Sequence, residues 1–557
     1  MHRLVAIIPL LLWVQAFGLL QNVAAENLSD HVREVLRNRI EAAGIPPNIS
    51  IGEEIIHASV ALPRFYEARA YRPAWSDNDG PRQQADALIN AIHEADREGL
   101  RPDDYHLSSI EAIVREIRQH QSQRKSAIPR RLVDLDLLLS DAFLVYASHL
   151  LAGRINPETI DAEWHANRRE ADIAIVLQTA LDTNRIGETL KSLLPLQPGY
   201  ARLRNALANY REIASRGGWP AVPGGPKIQT GDRGERVRTL LLRLMVTGDL
   251  DKQDTVRDHF DDVLEKALRR FQERHGLDVD GVVGPTTLET LNVPVEQRIR
   301  QLKLNLERWR WLPQTLGERY ILVNMANFEL NVVEKDQPVM AMRVIVGKGY
   351  RRTPVFSGKM TYLVFNPYWH VPPGIAIKDK LPLIRKDPDY LVKQNMKVFQ
   401  GWGADAKEID PQSIDWSKVT AKNFTFRLRQ DPGPSNALGR VKFMFPNRFN
   451  VYLHDTPSRE LFEKTLRTFS SGCIRIEKPI ELAEYLLRDE PKWTHETILA
   501  AIEKQVEQTV RLPRSIPVHL LYWTAWVDRE GSLHFVRDIY GRDKRLDEAL
   551  REKPPTA

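Results

Sequence analysis

The 557-residue chain has one cysteine, Cys473, which excludes an intramolecular disulfide framework and any cysteine-rich zinc site. It also has little charge of one sign: 79 basic against 73 acidic residues leave +6, an excess that gives no footing for nucleic acid and is only weakly compatible with an acidic polymer partner. Beyond the N-terminal segment, no 18 consecutive residues are apolar, so no later membrane span is expected. Core-forming residues are in ordinary supply, at 42% hydrophobic and 8% aromatic, which excludes a largely disordered chain. At roughly 150 residues per domain, the length predicts three to four domains.

Residues 1–25 have the pattern of an export signal. His2 and Arg3 precede a run from Leu4 to Leu20 that is apolar but for Gln15, and Val23-Ala24-Ala25 offers small residues for cleavage. The run also approaches the ~20 residues of a spanning helix, so an uncleaved N-terminal membrane tether stands beside cleavage. No cysteine follows it to accept a lipid. The implied location is periplasmic, or inner-membrane-anchored if the signal stays.

From 28 to 216 the spacing is helical; Leu132, Leu135, Leu139, Ala142, Phe143, Tyr146 and Leu150 fall on one helix face. This region predicts an all-α scaffold in which His93, His106, His149 and His165 are surface or packing residues. Residues 217–227, rich in Gly and Pro, predict a linker. In the unit 228–292, Phe271-Gln272 is followed by Gly276-Leu277, Asp280-Gly281 and Gly284-Pro285-Thr286-Thr287. This pattern resembles the three-helix peptidoglycan-binding module, with Gly281 and Gly284 supplying tight-turn backbone and Pro285 starting a helix.

A basic amphipathic helix is expected over about 295–310, within a connecting segment 293–318. The period then becomes two, through Ile321, Val323, Met325, Leu330, Val332, Val344 and Val346, which predicts a β-rich domain over 319–500 with a turn at Lys335-Asp336. Asn366-Pro367-Tyr368-Trp369 breaks the strand pattern, and 376–436 reads as an inserted lobe. Strands are expected again at 441–445 and 449–454. A late hairpin over 518–526 and 532–536 places the extension 501–557 against the same sheet.

Cys473 sits beside Gly472 in a polar loop between an apolar helix and a short β-like run. A free thiol titrates near ~8.5, so a nucleophilic role needs a base or a field. His454, 19 residues upstream at a strand end, is the nearest candidate base. On residue type alone, a buried structural cysteine and a polar strand terminator are the commoner explanation of the pair.

The run Ser470-Ser471-Gly472-Cys473-Ile474-Arg475 downstream of His454 resembles the active-site signature of the L,D-transpeptidases, the YkuD-type catalytic domain. Asn366-Pro367-Tyr368-Trp369, the run Arg429 to Pro434, Phe445-Pro446-Asn447 and His454-Asp455-Thr456-Pro457 are similar to the large periplasmic YcbB-like branch. That branch orders a scaffold, a binding module and a catalytic domain with a capping lobe as this chain does. Where many family members have histidine before Gly-Cys, this sequence has Ser471, so no second histidine is carried over.

The resemblance implies a multidomain α+β protein, expected to act as a monomer on peptidoglycan stem peptides and glycan, without cofactor or metal and open to acylation by carbapenems. It implies Cys473 as nucleophile and His454 as general base and acid. Amides around Ser471, Gly472 and Cys473, with Ser470 nearby, would stabilise an oxyanion. Arg475 would bind a substrate carboxylate or brace the loop, and Tyr452 would orient His454 or simply pack. Trp369, Trp402 and Trp416 would line a cleft or fill a core. A cell-wall peptide hydrolase using the same groups, and a non-catalytic wall-binding scaffold, are the competing readings.

Overall fold

The computed structural model describes residues 29–552 apart from 45–47, 124–128, 166, 252–257, 388 and 402–404; the export segment and Trp402 lie outside the described residues. The N-terminal region is built around the helix Pro129–Ala152. By length and hydropathy this helix would cross a membrane, but 83% of its apolar window is buried inside the protein, and the two carboxylates at its centre are fully partnered. Asp136 accepts from the Ala74 amide at 2.6 Å and the Tyr66 hydroxyl at 3.0 Å, and Asp141 from the Ala58 amide at 2.6 Å and His106 at 2.7 Å. A buried carboxylate is tolerable only with such donors. The same carboxylates pin loops beside two short ribbons, Ser50–Ile51 with Glu54–Ile55 and Ser76–Asp77 with Gly80–Pro81, so this region is helical but not wholly α.

The stretch expected as a free linker is packed. Val222 is buried, its amide donating to Asn292 Oδ1 at 2.8 Å, and the Arg243 guanidinium lies 4.0 Å from the Trp219 ring centre. The following unit has three helices, Glu235–Val246, Asp262–Arg274 and Pro285–Leu291. Its sequence signature has a mechanical reading. Phe271 fills the core, and the wholly buried Gln272 staples the loop by donating to Asp280 Oδ1 at 2.7 Å and the Val282 carbonyl at 3.0 Å, while accepting from the Gly281 amide at 2.9 Å.

The helix Val295–Arg310 is a buried spine rather than an amphipathic surface element. Glu307 takes the Ile155 amide at 2.8 Å and pairs with Arg310 at 2.7 Å; Arg308 pairs with Asp543 at 2.6 Å. These pairs explain how so charged a helix sits between the N-terminal helical region and the C-terminal β-domain.

Nine strands form the C-terminal sheet: β1 (Arg319–Asn324), β2 (Glu329–Glu334), β3 (Gln337–Gly347), β4 (Phe356–Phe365), β5 (Val441–Met444), β6 (Leu453–His454), β7 (Thr468–Ser470), β8 (Ile474–Ile476) and β9 (Gln508–Leu521). Their order is β7-β3-β8-β6-β5-β4-β9-β1-β2, and β2 also pairs with β3. Eight strands therefore close into a barrel, which removes the exposed edges of an open sheet, and β7 is the added outer strand. Ile321, Val323, Leu330, Val344, Leu363 and Phe443 fill the interior, each large side chain contributing roughly 1.5–3 kcal/mol by leaving water. Lys335 and Asp336 take φ of 46° and 60°, as a two-residue hairpin turn requires.

Three strand expectations are corrected. Residues 449–452 do not extend β6, because Asn447 gathers the loop instead, donating to the Phe445 and Val451 carbonyls at 2.6 and 2.7 Å and accepting from the Phe449 amide at 3.0 Å. The late hairpin divides: β9 enters the barrel between β4 and β1, while Ala525–Val527 pairs with Leu533–Phe535 as a separate ribbon. Asn324 and Asn305 capture the amides of Trp523 and Thr524, each at 3.0 Å, and so end the ladder. The inserted lobe starts before 376. Trp369–His370 is a strand of its own sheet, with Met396–Gln400, Lys407–Ile409 and Phe426–Gln430, and its core runs to Leu438.

Candidate active site

The chain that sets the site begins at β5, which pairs antiparallel with β6 so that Lys442 lies opposite His454. In turn β6 runs parallel to β8, placing His454 beside Arg475. Between β7 and β8 the turn Ser471-Gly472-Cys473 carries the thiol; the loop before Cys473 thus follows a strand, not the apolar helix expected. Gly472 has φ 117°, a region closed to most side chains, so glycine is needed for the turn itself. The buried Ser470 hydroxyl accepts from the Gly472 amide at 3.1 Å and donates to the Cys473 carbonyl at 2.5 Å. Thr353 adds a second brace, donating to the Gly472 carbonyl at 2.9 Å.

Cys473 is partly exposed in a cavity of about 930 Å³ between barrel and lobe, which His454, Tyr452, Arg475, Ser470, Ser471 and Gly472 also line. Its Sγ contacts the Asn450 carbonyl at 3.8 Å and the Tyr452 hydroxyl. Burial pushes the thiol up, and hydrogen bonds from Tyr452 with the charges of Lys442 and Arg475 oppose that. His454 is buried and pushed down to about 3, first by burial and then by the nearby Arg475 cation. The resting pair is a thiol and a neutral imidazole. Among the described residues no hydrogen bond joins them; catalytic bonds of this kind often tighten only when substrate is bound.

Tyr452 is set edge-on to the His454 ring with centroids 5.6 Å apart, and Lys442 Nζ stands 4.0 Å above the Tyr452 ring. The Arg475 Nε is buried without an acceptor, and among the described residues no loop carbonyl takes a hydrogen bond from this side chain. Gly472 supplies its backbone angle while its amide is already used. Among the described residues, the Ser471 and Cys473 amides have no protein acceptor. Trp369 lines the cavity, whereas Trp416 is buried in the lobe with its indole N–H on the Pro411 carbonyl at 2.9 Å.

Sequence reasoning missed several contributors. Lys442 was readable as the polar member of an alternating strand; its pairing with His454 was not. Arg351 donates to the Ser471 hydroxyl at 2.9 Å and to Asp379 of the lobe at 3.1 Å, and Glu163 reaches the cavity rim from the scaffold through a bridge between Trp164 and Val355. Basic side chains dominate the lining: Lys348, Arg351, Arg352, Lys378, Lys380 and Lys442 join Arg475, against Glu163 and Asp379. Among the described residues no group of three or more His, Cys, Asp or Glu side chains is arranged to hold a metal ion.

A thiol, a neutral imidazole and unpaired amides around one basic cavity can support thiol-based acyl chemistry. Residues 318–499 match the family model described as the L,D-transpeptidase catalytic domain, residues 233–291 the one described as "Putative peptidoglycan binding domain", and residues 60–207 a scaffold domain. Over 251 residues, 44% of the chain, the sequence is 38% identical to a Haemophilus influenzae protein named "Putative L,D-transpeptidase"; the match spans 49% of that relative.

Similarities to solved structures are remote. An L,D-transpeptidase from Xylanimonas cellulosilytica is 16% identical with a TM-score of 0.18, covering 54% of this chain and 99% of that one. A fused Zn-dependent amidase/peptidase/peptidoglycan-binding protein from Clostridium acetobutylicum is 12% identical with a TM-score of 0.15, covering 54% and 100%. The chain carries an L,D-transpeptidase catalytic domain joined to a peptidoglycan-binding domain and a scaffold domain.

Proposed function

We propose that the protein is a peptidoglycan L,D-transpeptidase with Cys473 as nucleophile and His454 as general base and acid. The observation that carries this reading is that the only thiol of the chain shares one basic cavity with a neutral, buried imidazole inside the matched catalytic domain. Cys473 attacks the carbonyl at the L-centre of a meso-diaminopimelate that precedes the terminal D-alanine of a tetrapeptide stem, and His454 takes the thiol proton. The Ser471 and Cys473 amides hold the oxyanion; losing one such donor costs about a hundredfold or more. The C–N bond then breaks, His454 returns the proton to the leaving D-alanine amine, and a thioester remains. The side-chain amine of a second diaminopimelate attacks the thioester, releasing the thiol and joining two diaminopimelates directly.

The basic lining suits a stem that carries several carboxylates, and the guanidinium of Arg475, which lines the cavity beside His454 and Cys473, is suited to hold one of them. The order of scaffold, binding module and lobed catalytic domain supports the YcbB-like branch. The protein acts as a monomer in the periplasm, with residues 1–25 as leader or tether.

Incubation with disaccharide-tetrapeptides, followed by mass analysis, tests the reaction. Diaminopimelate-linked dimers with free D-alanine are expected. Shortened monomers alone would make the protein a hydrolase, and unchanged substrate would leave a wall-binding scaffold.

A further inference from the structure

A second cavity of about 930 Å³ lies between the peptidoglycan-binding module and the barrel. Its module wall is the loop carrying Leu277 to Asp280 with the start of the helix Pro285–Leu291, and its barrel wall is the turn at Phe328 with the segment from Phe462 to Arg467. The module is fixed at the edges of this space. Arg274 donates to the Leu533 carbonyl at 3.1 Å, His275 stacks on Phe535 with ring centres 5.9 Å apart, and Asp278 accepts from the Thr465 hydroxyl. These contacts fix the two walls relative to one another, with the cavity between them.

Three features identify what fits it. First, Phe469 of β7 lines both this cavity and the one that holds Cys473, so the two are neighbours. Second, the charge differs: basic residues dominate around Cys473, whereas Arg343, Lys464, Arg467 and Arg537 are balanced here by acids of both walls, among them Glu273, Asp280, Glu329 and Glu463. Third, each wall presents an apolar side chain to solvent, Val279 at 46% and Leu466 at 51% exposure, with Phe328 behind. A near-neutral surface of carboxylates, amides and apolar faces suits an uncharged, N-acetylated sugar chain, whose hydroxyls seek acceptors and whose ring faces seek hydrocarbon.

We infer that this cavity binds the glycan strand bearing the stem peptide processed at Cys473, so that module and catalytic domain recognise one substrate jointly. The inference rests on the transpeptidase reading of the Cys473 cavity. Covalent geometry favours the adjacency: two residues and the diaminopimelate itself join the sugar to the reacting carbonyl, and three residues at ~3.3–3.6 Å each keep the glycan within a reach on the order of 10 Å. Cavities that share a lining side chain, Phe469, are neighbours on that scale.

The test uses the full chain with Val279→Arg and Leu466→Arg, two exposed positions on opposite walls, each first shown to melt as the native protein does. Binding of peptide-free glycan chains is measured by calorimetry, and kcat/KM is measured on glycan-linked and on sugar-free tetrapeptide. Each variant is expected to lose at least tenfold in glycan binding and in kcat/KM on the glycan-linked substrate, while the sugar-free tetrapeptide stays within twofold. Unchanged glycan binding, or an equal loss on both substrates, would overturn the glycan site. A native protein that turns over neither substrate yet binds glycan in a Val279- and Leu466-dependent way would support this site and sink the transpeptidase reading instead.

Discussion

The Nδ1 of His454 lies 2.6 Å from the carbonyl oxygen of Asp455. Because a carbonyl only accepts, Nδ1 carries the ring proton and the Nε2 lone pair is free to act as a base. With the imidazole pushed down to about 3, that base is already neutral at any pH above about 4. The kcat/KM on tetrapeptide is therefore expected to stay flat between pH 7.5 and 5.5. A tenfold fall across that interval, with an inflection near 6.5, would show a histidine of ordinary basicity at work.

The same burial makes stability pH-dependent. His149 and His454 are both held down to about 3 by burial against about 6.5 in the unfolded chain.

 Between those values the unfolded chain binds a proton at each site and the folded chain does not, so both contributions are present above pH 6.5 and are lost as pH falls toward 3, at up to about 1.4 kcal/mol per pH unit per histidine. His149→Gln, which keeps a partner for the Tyr105 hydroxyl now 3.1 Å from Nδ1, is expected to flatten the fall in unfolding free energy between pH 6.5 and 4.5 by about one proton. Superimposable slopes for native and variant would contradict this.

Arg475 has a buried Nε with no acceptor and lines the cavity. A charge-assisted hydrogen bond to a substrate carboxylate is worth about 1.5–3 kcal/mol, so Arg475→Gln is expected to raise KM by about 10- to 100-fold and to change kcat by less than threefold. Steady-state kinetics with a melting curve decide the matter: a lowered Tm with unchanged KM would return Arg475 to a structural role.

Gly439 has φ 62°, and a Cβ there would stand 2.4 Å from the Asp455 side chain. That carboxylate takes the Arg440 amide at 2.9 Å and belongs to the residue whose carbonyl holds His454. Gly439→Ala should cost about 2 kcal/mol or more from backbone strain and displacement of Asp455, with a Tm lower by several degrees and a reduced kcat. A variant with native Tm and native kcat would show that Asp455 moves without consequence for the histidine.

The barrel strands were legible because alternation at Ile321, Val323, Leu330 and Val332 reports a face buried in a β-sheet, and the module was legible because Gln272 and Gly281 perform a fixed local task. His454 and Cys473 stood out through the run Ser470 to Arg475 and its resemblance to a known active-site signature, since residue type alone left a structural pair open. Long-range pairing was not legible: nothing local to Lys442 announces that it sits opposite His454, nor does the sequence near Glu163 reveal that a scaffold residue reaches the cavity rim. The strand expected over 449–454 is realised only at Leu453–His454, and its first part failed for a different reason. Its apolar pattern was sound, but one side chain, Asn447, supplies hydrogen bonds that compete with the ladder.

The most direct test of the account is the mass of the intact protein during a single turnover with tetrapeptide and no acceptor amine. The native chain is expected to gain the mass of the stem less D-alanine, with the adduct mapped to Cys473 by proteolysis, and Cys473→Ala should gain nothing while keeping the native Tm. An adduct on any other residue, or D-alanine release undiminished in Cys473→Ala, would contradict it.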